Sequence, residues 1–398
     1  MTIGRRILGV CAGVAIAVVV AGSAPGESAL AAPPDPLVRV VAAADDDLPA
    51  RAAAVVSGMT LRQKAAAVVM GHIPTTDAAI LRDYMQTTGI GGFLLMGANI
   101  PEDESALRGV TAALTLDAGL PPLIAIDQEG GDVSRLPWDA FPSALTLKNQ
   151  APAAAAEAFA GRGALVQRAG IGVNFGVVAD VTDDPSMFIY RRALGTTPET
   201  ALERVAAAVT GEDGQALTTL KHFPGHGAAP GDSHAGIPST DETKADWSAT
   251  DAAPFQAGID AGAPMLMFGH LVYTAVDAAP ATLSPEWHRI ARDELGFEGV
   301  IVTDDLGMLE ASGIPEYQDP VANAVRALAA GSDLLLTVLY STAGTAPRIV
   351  DGIVAAVESG AVPPERLDEA ARRVTALRLE VAASGRGLVP CADCTPAG

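Results

Sequence analysis

With 398 residues and a formal net charge of −21, the chain repels polyanions at long range, which argues against nucleic acid or an anionic membrane surface as a partner. At 49% hydrophobic residues it can bury a sizeable core, and no tract has the composition of extended disorder. The length permits a single large domain.

In chain order, residues 1–31 come first, with Arg5 and Arg6, an apolar run from Ile7 to about Ala21 and a small-residue ending at Ala31. That is the layout of an export signal, and the Pro-rich exit favours cleavage over a retained anchor. An exported protein, secreted or associated with the cell envelope, is expected, without stable membrane insertion after cleavage. Residues 32–50 read as a linker, 51–388 as one domain and 389–398 as a tail. Cys391 and Cys394 in that tail suit a terminal disulfide or two idle thiols better than a redox motif, which belongs near a helix start.

Within the domain, apolar runs at 66–71, 91–97, 123–128, 172–178, 217–223, 264–270, 299–305 and 332–338 read as eight strands. Stretches such as "PAAAAEAFAGRGALVQRAG" and "PVANAVRALAAG" separate them and read as helices closed by glycine. Eight strands alternating with helices fit an α/β fold of the (β/α)₈ type, with an open doubly wound sheet as the competitor. The barrel accounts better for Asn99, Asp127, Asp180, Lys221 with His222, His270 and Asp304, each at the C-terminal end of a different strand. Those ends share one face of a barrel.

Two stretches concentrate chemistry. In "GVIVTDDLGM" an acidic pair follows four apolar residues, an awkward place for a purely structural carboxylate. Asp304 is assigned to chemistry and Asp305 to opening the next helix. In "KHFPGHGAAPGDSH" stand three of the six histidines and one of the four lysines. Pro and Gly there release the chain into an irregular loop that returns Asp232 and His234. Two residues apart in an extended segment, these two side chains can point the same way. The carboxylate then fixes the imidazole tautomer and suits His234 to act as a general acid. The alternative is a metal site built from His222, His226, Asp232, His234 and His270. Pro224 and Gly225 interrupt the His222-x-x-x-His226 spacing, so it is not a rigid helical ligand pair.

Taken together, "IAIDQEGG", "KHFPGHG" followed by "DSH", and "GVIVTDDLGM" resemble glycoside hydrolase family 3, in its β-N-acetylhexosaminidase branch, over about residues 58–385. The resemblance implies a barrel enzyme with a retaining mechanism. Asp304 falls on the position of the nucleophile, and Asp232 with His234 on that of the acid/base pair. It also implies sugar-binding roles for Asp127, Arg135, Arg192, Lys221 and His222, whose hydrogen-bonding groups suit hydroxyls. His226 is expected to brace the loop, His270 to support the site from below, and His72 and His288 to be structural. No cofactor or metal is expected, the substrate is an N-acetylglucosaminide, and a monomer is the expected state. The chain departs from the family pattern at Asp132, where arginine is usual, and around Arg192 in "FIYRRALG". Competing readings keep the barrel but turn to β-glucosides or to phosphorolysis, use the histidines as a metal-dependent hydrolase, or bind sugar without catalysis.

Overall fold

The computed structural model describes residues 47–387. The segment expected to be an export signal, most of the expected linker and the tail with Cys391 and Cys394 lie outside the described residues. The first helix, Leu48–Ser57, starts inside the segment expected to be linker, with a proline in its first turn. Proline is well placed there because the first helical N–H groups have no intrahelical acceptor.

The eight expected strands are all present: β1 (Val69–Gly71), β2 (Gly92–Leu95), β3 (Leu123–Ile126), β4 (Val173–Val178), β5 (Leu217–Phe223), β6 (Met265–Phe268), β7 (Val300–Thr303) and β8 (Leu335–Leu336). They form one parallel sheet in the order β7-β6-β5-β4-β3-β2-β1-β8, and a bridge from Val302 to Leu334 joins its two ends. The sheet is therefore a closed barrel. Several strands are shorter than their apolar runs. Ala66 and Ala67 belong to the helix Leu61–Ala67, which a capping box between Thr60 and Gln63 initiates.

Burial follows the two-residue period of a strand. Met70, Leu94, Ala125, Phe175, Met267, Val302 and Leu336 belong to one cluster that also includes Leu217 of β5, and so draws on all eight strands. That cluster is the barrel interior. The residues between them, such as Val69, Phe93, Ile124, Leu266 and Ile301, join the clusters under the surrounding helices. A strand buried on both faces has no polar side, which is why these runs are continuous in the sequence.

Caps set where the helices begin. Asp77, Asp103, Thr197 and Asp319 each accept a backbone N–H in the first turn of the helix that follows. After β3 the chain adds a two-stranded hairpin, Gln128–Gly130 with Val133–Ser134, that the apolar pattern does not announce. It folds over the C-terminal face of the barrel and carries part of the site.

Candidate active site

A cavity of about 510 Å³ opens at the C-terminal ends of the strands. Asp127, Arg135, Arg192, Lys221, His222, His234 and Asp304 all line it, so seven of the eight expected site residues meet in one place. The eighth, Asp232, is paired with His234.

The deep wall is built from ions that neutralise one another. Lys221, in β5, places Nζ 2.8 Å from Asp127 Oδ1 and 2.7 Å from Glu129 Oε1. Arg192 donates to the same Glu129 through both edges, Nε to Oε2 at 2.8 Å and Nη2 to Oε1 at 2.7 Å. Burial pushes the Glu129 carboxyl up, but the guanidinium of Arg192 and the ammonium of Lys221 outweigh it and hold Glu129 well below the usual carboxylate range. Burial likewise works against the charge on Lys221, and Asp127 and Glu129 reverse it, so the ammonium is stabilised. Arg135 approaches the other Asp127 oxygen at 3.7 Å.

His222 is held from behind. Its Nδ1 lies 2.8 Å from Asp180 Oδ2, and its Nε2 lies 3.3 Å from Arg192 Nη2. Asp180 also accepts the His226 backbone N–H at 2.7 Å, which ties the loop's entry to the end of β4. Burial would raise the Asp180 carboxyl, yet His222 and His226 keep it lowered. The peptide bonds Lys221–His222 and Phe223–Pro224 are cis.

Asp304 ends β7, its N–H donating to Phe268 O at 2.9 Å and its Oδ1 accepting from the Asp305 N–H at 2.8 Å. Burial disfavours its charge, but His222, His270 and Lys221 together keep the carboxyl below its ordinary value. A carboxylate ionised across the neutral range inside a cavity is what nucleophilic attack requires. Asp305 has the structural role expected of it, in a different form. Rather than capping the helix Gly307–Ala311 directly, it precedes the N-cap and accepts N–H groups from Gly307, Val338 and Leu339.

The loop after β5 divides into two parts. Its first half is fastened: Trp247 Nε1 donates to Pro224 O at 2.8 Å and Tyr273 OH to Gly225 O at 2.6 Å. At Gly227 a Cβ would sit 1.6 Å from Val181 O, so only glycine allows the loop to lie this close to the segment after β4. Its second half projects outward, with the His234 and Asp232 side chains 60% and 45% exposed. The extended geometry expected for this pair is corrected. Residues 233–235 form a turn in which Asp232 Oδ1 accepts both the His234 N–H at 2.9 Å and the ring at Nδ1, 2.8 Å away. The turn pairs them because a carboxylate readily bonds the backbone two residues on. Nδ1 faces Asp232, and Phe188 meets the His234 ring edge-on at 5.5 Å.

The remaining histidines are accounted for by packing. His226 lies against Phe188 and His222. His270 contacts Thr282 Oγ1 and Asp305 O, beneath the site. His72 bonds Leu94 O, and His288 contacts Ser284 O and Ser332 Oγ. Among the described residues no group of three or more His, Cys, Asp or Glu is arranged to hold a metal ion. At the rim, Asp132 is held by Arg191 through two hydrogen bonds of 2.5 and 3.0 Å.

Sequence reasoning missed Glu129 as the hub of the wall and Asp180 as the support of His222. A signal existed for Glu129. Two buried cations, Lys221 and Arg192, need more than the single carboxylate of Asp127, and Glu129 stands two residues from it.

Comparison with known proteins identifies the family and the fold. Residues 60–377 match the model of the glycosyl hydrolase family 3 N-terminal domain. The β-hexosaminidase of Stenotrophomonas maltophilia (strain R551-3) is 33% identical over 305 residues, which cover 73% of this chain and 87% of that protein. The family 3 β-N-acetylglucosaminidase of Paenibacillus sp. str. FPU-7 superposes with a TM-score of 0.76 at 31% identity, over 82% of this chain and 64% of that longer one. The β-N-acetylhexosaminidase of Beutenbergia cavernae DSM 12333 gives a TM-score of 0.70 at 30% identity, over 82% of this chain and 99% of its own. Matched by the family model over residues 60–377 and 33% identical to a β-hexosaminidase over most of both chains, the chain belongs to glycosyl hydrolase family 3 and is a glycoside hydrolase of its β-N-acetylhexosaminidase branch.

Proposed function

We propose that the protein is a retaining exo-β-N-acetylglucosaminidase that releases terminal β-linked N-acetylhexosamine through a glycosyl-Asp304 intermediate. The observation that supports this most directly is the lining of one cavity by Asp304 and by His234, whose partner is Asp232. In the first step the Asp304 carboxylate attacks the anomeric carbon. The bond to the leaving oxygen breaks as His234, protonated and oriented by Asp232, gives that oxygen its proton. In the second step His234 takes a proton from water, the water oxygen bonds to the anomeric carbon, and Asp304 departs as a carboxylate. This differs from the two-carboxylate scheme of most retaining glycosidases in using an imidazole as acid/base.

Lys221, Asp127, Arg192, His222 and Arg135 bind and orient the sugar hydroxyls in this reading. They are already paired with one another, so substrate meets donors and acceptors whose positions need little reorganisation. Closure of the exposed half of the loop brings His234 onto the leaving oxygen. The substrates are cell-wall muropeptide fragments or chitin-derived saccharides, met outside the cytosol after export.

The test is release of an aryl group from an N-acetyl-β-glucosaminide and from the matching β-glucoside, with and without chelator and inorganic phosphate. Asp304→Ala should lower kcat/KM on the N-acetyl substrate by about 10⁴-fold or more. Preference for the glucoside, dependence on phosphate, or loss of activity with chelator would each overturn a named part of the proposal.

A further inference from the structure

The ionic wall occupies the deep end of the cavity, and part of its outer lip is apolar. Leu339 lines the cavity and is also 38% exposed, so it straddles the mouth. Its neighbour Tyr340 is 67% exposed, the most of any large hydrophobic side chain among the described residues. Exposure alone would need no explanation, but the backbone does. Tyr340 has a φ of 60°, and among the described residues it is the only non-glycine in the left-handed region. A bulky residue stays there only where its surroundings impose it, and such positions concentrate at ligand sites.

The surroundings that impose it here can be named. Asp305 Oδ1 accepts the Val338 N–H and Oδ2 the Leu339 N–H, both at 2.8 Å. Thr337 Oγ1 and Ser341 Oγ close the turn at 2.8 Å. Gly307 lies directly against it, since a Cβ there would meet Leu339 O at 2.3 Å. The residue that fastens this lip therefore follows the proposed nucleophile immediately in the chain. The lip and the reacting carboxylate are set by one short piece of backbone.

We propose that Leu339 and Tyr340, on the loop after β8, form the platform for the leaving-group sugar, the inference resting on the glycosidase reading above. A pyranose has polar edges and an apolar C–H face. The retained sugar satisfies its hydroxyls against the buried ions, and the departing one, which must lie toward the mouth, lays its C–H face on the shelf. Aromatic and aliphatic side chains on a rigid loop suit that contact at low entropic cost.

The experiment compares wild type, Tyr340→Ala, Tyr340→Gly and Tyr340→Phe on N,N′-diacetylchitobiose and on methyl N-acetyl-β-glucosaminide. The methyl glycoside has no ring to rest on the shelf. The ratio of kcat/KM for the disaccharide over the methyl glycoside should fall about fivefold in Tyr340→Ala and Tyr340→Gly and be retained in Tyr340→Phe. Glycine adopts the left-handed conformation without strain, so a fall in that variant reports the ring and not the backbone. A ratio unchanged in both truncations, or lowered equally in Tyr340→Phe, overturns the platform. Absence of turnover of either substrate by the wild type overturns the glycosidase reading and the platform with it.

Discussion

Lys221 and His234 line the same cavity, yet Lys221 is 2% exposed and paired with two carboxylates, whereas the His234 side chain is 60% exposed and paired with one. The wall around Lys221 is set by barrel strands and a hairpin packed on them. The proposed acid/base pair, Asp232 and His234, sits on the outer half of a loop whose inner half is anchored. The contrast separates two tasks. Binding a sugar in a fixed pose rewards groups that cannot move, because their electrostatic work is done in advance. Shuttling a proton between a leaving group and a water rewards access to solvent and a loop that can close.

This contrast predicts that substitutions in the wall damage the fold and substitutions in the loop damage only the reaction. The largest effect on stability should come from Glu129→Ala, which leaves Arg192 and Lys221 buried without their shared counter-charge. A loss of about 3–5 kcal/mol is expected, read from denaturant unfolding. A loss under about 1 kcal/mol would mean that the wall is not held together by Glu129.

His234→Ala should lower kcat/KM by about 10²- to 10³-fold, within the range for a general acid/base, while the unfolding midpoint stays where it was. An exposed ion pair contributes little to folding, so a clear drop in stability would break the comparison from the other side.

Behind the wall, Glu212 tests burial without a countercharge in contact. It accepts from Asn174 Nδ2 at 2.6 Å and Thr218 Oγ1 at 2.9 Å, and burial, the larger influence, pushes its carboxyl from 4.5 up to about 7. The folded protein thus keeps a proton that the unfolded chain releases at lower pH. Stability should fall as pH rises from about 4.5 to about 7 and level off above that, by an amount on the order of 3 kcal/mol. Glu212→Gln, which cannot ionise, should remove this slope in urea titrations across that range. The smallest effect belongs to the rim, where Arg191→Ala breaks the exposed pair with Asp132. A change of less than about 1 kcal/mol in unfolding free energy is expected.

Much of this site was legible in the sequence because its residues stand where apolar strands stop. Lys221, His222, Asp304 and Asp127 are each at or just beyond a strand end, and in a barrel all such ends open on one face. What was not legible depends on partners distant in the chain. Arg192 meets Glu129 across 63 positions, and His222 meets Asp180 across 42. No local pattern encodes which carboxylate a buried cation will choose. The turn at Asp232 was hidden for a different reason. An Asp two residues before His is compatible with both an extended segment and a turn, and the side-chain-to-backbone bond that decides between them leaves no periodicity.

By itself the sequence determined the eight strands, their alternation with helices, and the strand-end and loop positions of Asp304, Asp232 and His234, to which the proposed mechanism gives the chemistry. Continuous apolar runs, strand-end carboxylates and short-range motifs all act over a few residues. Only the tertiary structure decided that the sheet closes through Val302 and Leu334, that Glu129 joins Lys221 to Arg192, and that the loop after β8 holds Tyr340 in a left-handed conformation next to Leu339 of the cavity lining. Each of these depends on which distant groups are desolvated together, and that is settled when the barrel closes.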